Sequence, residues 1–211
     1  MQVLCIDTSR KEALIALVYE DKEYILKMPE SMKHSESLLN YIEKALTDKG
    51  IDVSELDAVG SIVGPGSFTG IRVGMSVVKA MTFALNKKIA SANMFEVVSS
   101  KVKDGYFILN STLTTIYYGK LQKGKLIDSG YIKKDEFSNL ISGDKVYALI
   151  QEQDSVKVAY NDIEYIDDID MLIVNTIRDK VKAQKFTTDT DYAPMYIQLS
   201  QAEENLKAKG V

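Results

Sequence analysis

The string Gly64-Pro65-Gly66-Ser67-Phe68-Thr69-Gly70-Ile71-Arg72-Val73-Gly74 lies between an apolar run at residues 57–63 and a longer apolar stretch at 71–85, and it constrains this chain more than any other segment. The first run reads as a buried strand. The second has the length of a helix and is apolar on almost every side. Glycines permit positive φ and close backbone approach, and Pro65 stiffens the turn, so a tight loop opening a helix is implied. Ser67 or Thr69 is placed to cap that helix, whose first-turn N–H groups and dipole favour an anion. Two readings stay open: a phosphate or carboxylate cradle, or a turn whose glycines let the helix pack close to the sheet. The loop lacks the lysine of a P-loop and does not match G-x-G-x-x-G, so neither common nucleotide motif accounts for it.

Three short apolar runs at 2–8, 13–19 and 22–28, separated by polar residues at hairpin intervals, read as consecutive strands. Leu38, Leu39, Tyr41, Ile42, Ala45 and Leu46 recur at helical spacing over 34–49, and Gly50 follows as a C-terminal cap. A strand at 88–91 and a helix at 94–102 complete a first lobe. After Asp104-Gly105 the order begins again, with strands at 106–109, 113–121 and 126–132 and a helical stretch at 134–140. A further helix is expected over 167–183. The polar stretches at 151–154 and 160–168 suggest that the second lobe is pared down. Two closely packed lobes, 1–103 and 104–190, are expected, with a tail at 191–211 folding back as a helix onto the first.

The chain has 211 residues, 45% of them hydrophobic, ample for a packed core. Its net charge of −4 offers no surplus of cations for a phosphate backbone, which argues against unaided nucleic-acid binding. The single cysteine, Cys5, sits in the apolar run Val3-Leu4-Cys5-Ile6 with no second thiol to pair with, as expected in a reducing, cytoplasmic compartment. Asp7 and Arg10 arrive too early for a signal-peptide core, and no membrane span is expected.

The loop string G-P-G-S-F-T-G-I-R-V-G resembles the signature of the TsaB (YeaZ) family, bacterial proteins needed to make threonylcarbamoyladenosine in tRNA. Asp7-Thr8-Ser9 resembles the family's D-T-S at the end of the first strand. His34-Ser35-Glu36 followed by Leu38-Leu39 resembles its H-S-E-x-L-L at the first helix. The likeness is dense over 1–96. Beyond that it thins to Tyr117-Tyr118-Gly119 and Pro194-Met195-Tyr196.

The resemblance implies an α/β, actin-like or sugar-kinase-like fold of two lobes, each with a mixed five-stranded sheet and flanking helices, the second lobe reduced. ATP-hydrolysing members of that superfamily carry Asp-x-Gly-(Thr/Ser) in the first hairpin, where glycine leaves room for phosphates and the acid helps hold magnesium. Here Asp7, Thr8 and Ser9 occupy that turn. Asn110-Ser111-Thr112, which stands where many relatives have Asp-Ala-Arg, makes no second phosphate hairpin. A degenerate nucleotide fold without ATPase activity, catalytic residues or a cofactor of its own is therefore expected. A nucleotide at a joint interface with a partner is left open.

The family's catalytic member and partner, TsaD, is a metalloprotein with histidine ligands, and a chain with His34 alone cannot build that metal site. By resemblance this chain is a non-catalytic scaffold that pairs with TsaD through helices of the first lobe. The resemblance further implies that it can self-associate through an overlapping face when the partner is absent, and that it meets the small ATPase TsaE and the tRNA only through the complex. His34, Glu36, Leu38, Tyr41, Ile42, Met75 and Lys79 are the expected interface; core packing is the alternative for the apolar ones, and capping or packing for His34. Gly64, Gly66, Ser67, Phe68, Thr69, Gly70 and Arg72 are the candidates for an anion or partner contact. Two other activities remain to be weighed: a small-molecule phosphotransferase or acyltransferase using the 64–74 loop, and a peptidase with Asp7, Ser67 and His34 as its triad.

Overall fold

The computed structural model describes residues 1–20 and 22–197. Strands β1 (Val3–Asp7), β2 (Ala13–Tyr19) and β3 (Lys22–Met28) are successive antiparallel neighbours, as the three apolar runs predict. Helix α1 (His34–Lys49) follows and stops at Gly50, whose φ of 63° is the left-handed turn that glycine adopts without strain. Strand β4 (Ala58–Ile62) returns parallel to β1. Helix α2 (Phe68–Leu85) crosses back, and β5 (Lys88–Ala92) pairs parallel to β4. The sheet order is β3-β2-β1-β4-β5, and α3 (Met94–Val98) ends this half.

The second half repeats it. Strands β6 (Gly105–Asn110), β7 (Thr115–Gln122), β8 (Lys125–Lys133), β9 (Val146–Leu149) and β10 (Ile163–Ile166) form a sheet ordered β10-β9-β6-β7-β8. Counted within its own lobe, each sheet runs third, second, first, fourth, fifth. This duplicated mixed sheet is the actin-like fold. The helices differ between the lobes. Where α1 stands in the first lobe, the second has only the 3₁₀ turn Phe137–Asn139, so the helical stretch expected at 134–140 is a single turn. In place of α2 come the 3₁₀ turn Ile150–Glu152 and the short α4 (Gln153–Val156). The last helix, α5 (Ile169–Lys182), is long again.

Three apolar layers hold this together. Alternation along β1 sends Leu4 and Ile6 to an outer core beneath α1 and α2, and Val3 and Cys5 to an inner core between the sheets. The inner core also takes Phe95, Phe107, Leu109, Ile173 and Ile177, so residues of both sheets, α3 and α5 share one apolar volume. Full burial of such side chains contributes about 1.5–3 kcal/mol each. Although α5 follows the second lobe's last strand, it seats on the first lobe's sheet. Ile177 lies so close to Gly60 that a Cβ there would overlap Cγ2, Arg178 pairs with Glu23, and Lys180 donates to the Ser91 carbonyl. A third core around Tyr106, Phe137 and Val156 covers the far face of the second sheet.

Helix α2 is long and apolar enough to cross a membrane by length and composition alone. Here its Ile71, Met75 and Val78 are buried in the outer core instead. Residues 187–195 lie against the first lobe: Thr187 N donates to the Ile89 carbonyl, Tyr192 is buried in the outer core and Met195 N donates to the Val63 carbonyl at 2.7 Å. Residues 191–197 form no helix, correcting the expected helical tail for that stretch. Residues 198–211 of that tail lie outside the described residues.

Candidate functional site

The end of β1 meets the glycine loop directly. Asp7 is buried, and its Oδ1 accepts hydrogen bonds from Ser9 N at 2.8 Å and Ser9 Oγ at 2.6 Å. Its Oδ2 accepts from Arg10 Nε at 2.6 Å, and Arg10 Nη2 reaches Asp170 Oδ1 at 2.7 Å. Lys27 Nζ lies 2.8 Å from the other Asp170 oxygen. Burial works against the charge on Asp170, yet the hydrogen bond from Lys27 and the charge of Arg10 hold its carboxyl below the usual carboxylate range. The acid that would help hold a metal in a nucleotide-binding relative is here already neutralised by a guanidinium of its own hairpin.

The loop glycines fit around this turn. A Cβ at Gly66 would overlap the Ser9 carbonyl oxygen, one at Gly70 the Thr8 carbonyl oxygen, and one at Gly74 the Thr8 hydroxyl. Thr8 Oγ1 donates to the Gly70 carbonyl at 2.7 Å, and Ser67 N donates to the Ser9 carbonyl at 2.7 Å. The spacing of Gly66, Gly70 and Gly74, four residues apart from loop into helix, is that needed to seat a helix on a hairpin that has side chains where phosphates would need space. Gly64, at φ 116°, makes the turn itself. Ser67 is the cap of α2, its Oγ accepting from Gly70 N at 3.2 Å, and Thr69 is not. Arg72 lies over the Phe68 ring at 3.9 Å and donates to Tyr196 Oη at 2.6 Å, while Tyr196 stacks on Phe68 with centroids 4.6 Å apart. The loop's outer edge is thus closed by the returning tail.

The other lobe faces this hairpin with Asn110, which ends β6 as Asp7 ends β1. Its Oδ1 accepts from Lys134 Nζ at 2.9 Å, so each lobe holds the last side chain of its first strand with an internal cation. Desolvation lowers the Lys134 pKa from its ordinary value, with Glu152 opposing. Glu152 is the residue that sequence reasoning missed. It lies in the polar stretch taken for pared-down chain, accepts from Asn110 N at 2.7 Å, and lines the cleft between the lobes. Burial pushes its carboxyl up to about 7.

The peptidase arrangement is not assembled. Asp7 is engaged by Ser9 and Arg10, Ser67 Oγ by Gly70 N, and His34 Nε2 lies 3.2 Å from the Lys11 carbonyl oxygen. Neither is His34 the cap of α1, which starts from Lys33 with no side-chain cap.

The expected interface residues divide. Leu38, Ile42 and Met75 are 2%, 3% and 6% exposed, and belong to the outer core, because the stripe they form is the one that faces the sheet. His34 and Tyr41 are half-buried, and Glu36 and Lys79 are exposed. The apolar surface that α1 and α2 offer to solvent comes instead from Leu39, 61% exposed, and Phe83, 89% exposed. Helical periodicity marks both kinds of apolar residue and does not say which face the sheet covers.

A family model described as TsaD, tRNA N6-adenosine threonylcarbamoyltransferase, matches residues 28–151. The chain is 30% identical over 83 residues to the tRNA threonylcarbamoyladenosine biosynthesis protein TsaB of Haemophilus influenzae, covering 39% of this chain and 35% of that one. It is 28% identical over 137 residues to the TsaB of Buchnera aphidicola from Schizaphis graminum, covering 61% and 64%. The matches thus span between about a third and two thirds of these curated relatives. Among solved structures, YeaZ from Pseudomonas aeruginosa superposes with a TM-score of 0.72 at 17% identity, covering 92% of this chain and 99% of that one. With its signature loop packed on the D-T-S turn in an actin-like fold, the chain belongs to the TsaD family of tRNA N6-adenosine threonylcarbamoyltransferases, on its TsaB, or YeaZ, branch.

Proposed function

We propose that this chain is a non-catalytic subunit for the synthesis of threonylcarbamoyladenosine in tRNA, acting in the cytoplasm by docking on a TsaD enzyme and holding it in its competent form. The observation that carries this reading is the state of the first hairpin: Asp7 is neutralised by Arg10, and Thr8 and Ser9 are pressed against Gly66, Gly70 and Gly74. A hairpin so filled and neutralised supports a binding role for the fold and speaks against phosphotransfer through the loop. The exposed Leu39 and Phe83 on α1 and α2 fit the docking face, with Lys79 on the same helix surface. When no partner is present, the same face would pair two copies of this chain. The tRNA and the ATPase TsaE would be met through the complex, in keeping with a net charge of −4, and any nucleotide would be held jointly with the partner.

Reconstitution tests this. The TsaD enzyme and remaining components from the same organism are assayed for modified adenosine in tRNA with the chain present, omitted, or carrying Leu39→Asp and Phe83→Asp together. Loss of product on omission and with the double variant, with no nucleotide turnover by the isolated chain, supports the reading. Equal product without the chain overturns it.

A further inference from the structure

The cleft between the lobes holds two cavities, of about 240 Å³ and about 370 Å³, that share Arg10, Lys11, Asn110 and Glu152 in their walls. The smaller alone has room for roughly eight waters at ~30 Å³ each. Two charged side chains from opposite lobes meet here with part of their bonding capacity unused. Arg10, 12% exposed, gives Nε to Asp7 and Nη2 to Asp170, and its Nη1 makes no hydrogen bond to any described residue. Glu152 uses Oε2 for Asn110 N, and its Oε1 likewise has no partner among the described residues. A guanidinium and a carboxylate from opposite lobes thus line one cleft, with hydrogen-bonding capacity open to water or a ligand.

The balance of charge narrows what that is. In the smaller cavity Arg10 and Lys11 stand against Glu12, Glu30 and Glu152. Lys11 pairs with Glu30 at 3.3 Å and Glu12 with Lys27 at 3.6 Å, while Arg10 is shared between Asp7 and Asp170. Among the described residues Glu152 is left without a salt bridge. A simple anion would meet that carboxylate, and a simple cation would meet the guanidinium. Gln151 and Ser155 line the smaller cavity beside Glu152 and offer neutral hydrogen bonds. A nucleotide's polyphosphate has no seat nearby, because the turn that would receive it is filled by Thr8 and Ser9 and closed by the loop glycines.

We propose that the cleft is a binding site for a small zwitterion, an α-amino acid, whose carboxylate meets the Arg10–Lys11 edge and whose ammonium meets Glu152. The titration of Glu152 agrees with this placement. Burial holds its carboxyl at about 7, although Arg10 and Lys11 from the first hairpin, Lys134 after β8 and the Asn110 N–H all favour its charged form. An ammonium at Oε1 adds to those, so binding releases a proton near neutrality and tightens as pH rises from 6 to 8. Both lobes contribute contacts, so the bound cleft is also the more stable one.

The experiment is titration calorimetry on the full chain at pH 8 and pH 6, with the free α-amino acids, matching amines and hydroxy acids that lack one of the two charges, and magnesium-ATP. Saturable binding of an amino acid is expected, weaker at pH 6 and at least ~tenfold weaker in Glu152→Gln, which loses one charged hydrogen bond. Lys11→Ala changes a side chain that is 77% exposed, so it keeps the test open if Glu152→Gln fails to fold, and it too is expected to weaken binding. The proposal is overturned if no amino acid saturates, if the singly charged analogues bind as well, if both variants bind like the parent, or if magnesium-ATP competes for the site.

Discussion

Arg10 Nε donates a 2.6 Å hydrogen bond to Asp7 Oδ2, pairing a side chain that is 12% exposed with one that is fully buried. Removing the cation leaves a buried carboxylate without its partner, whereas the pair together is close to neutral in stability. Arg10→Met is expected to cost about 3–5 kcal/mol, read from the midpoint of urea unfolding, without giving the chain any nucleotide turnover. An unchanged midpoint would show that Asp7 finds another partner or a proton.

Gly74→Ala tests the fit between loop and hairpin. An alanine in mid-helix is ordinarily worth about 1 kcal/mol over glycine, but here its Cβ would overlap the Thr8 hydroxyl, so a net loss of about 1–3 kcal/mol is expected. Adding Thr8→Ala removes the obstructing oxygen together with its hydrogen bond to the Gly70 carbonyl. The two changes should therefore be strongly non-additive in a double-mutant cycle. Simple additivity would mean that the contact is relieved by movement elsewhere.

Leu38 and Leu39 are neighbours in sequence with opposite fates, and substitution separates them. Leu38→Ala should lower stability by about 2–5 kcal/mol as a core truncation. Leu39→Ala should fall within about 0.5 kcal/mol of the parent and act only on complex formation. Thermal melting and co-purification with the TsaD enzyme measure the two effects independently. A Leu39 variant that melts early would place that side chain in the core.

Stability should fall with rising pH in the neutral range. The Glu152 carboxyl is raised from 4.5 to about 7 in the fold, so the native state binds its proton more tightly than the unfolded chain does. Its contribution is complete below about 4.5 and is lost as pH rises through about 7, by an amount on the order of 3 kcal/mol. Glu152→Gln should flatten that slope in urea unfolding between pH 5 and pH 8. Asp170 acts in the opposite direction at lower pH. Its depressed carboxyl supports the fold above its ordinary 3.8, and that support is lost as pH falls through the lower native value.

Much of the first lobe is legible in the chain itself, because its signals are local. Polar breaks set β1, β2 and β3 almost to the residue, and the residues that cap α2 and stop α1, Ser67 and Gly50, stand beside the elements they bound. The second lobe is read less well where elements are too short to show a period, as in β9, β10 and the turn at Phe137–Asn139. What sequence could not show at all were contacts made across the fold. Arg10 reaches Asp170 over 160 residues, and Glu152 meets Asn110 over 42. Neither pair has a spacing rule, and both depend on how the two sheets face each other.

Because α5 leaves the second lobe and seats on the first, the two lobes cannot swing apart like the jaws of a hinged enzyme without tearing Ile177 from Gly60 and Arg178 from Glu23. Motion in this molecule is therefore confined to small shear within a common core. The chain should melt in one cooperative transition, and a fragment ending after α3 would be left with one face of its sheet open to water.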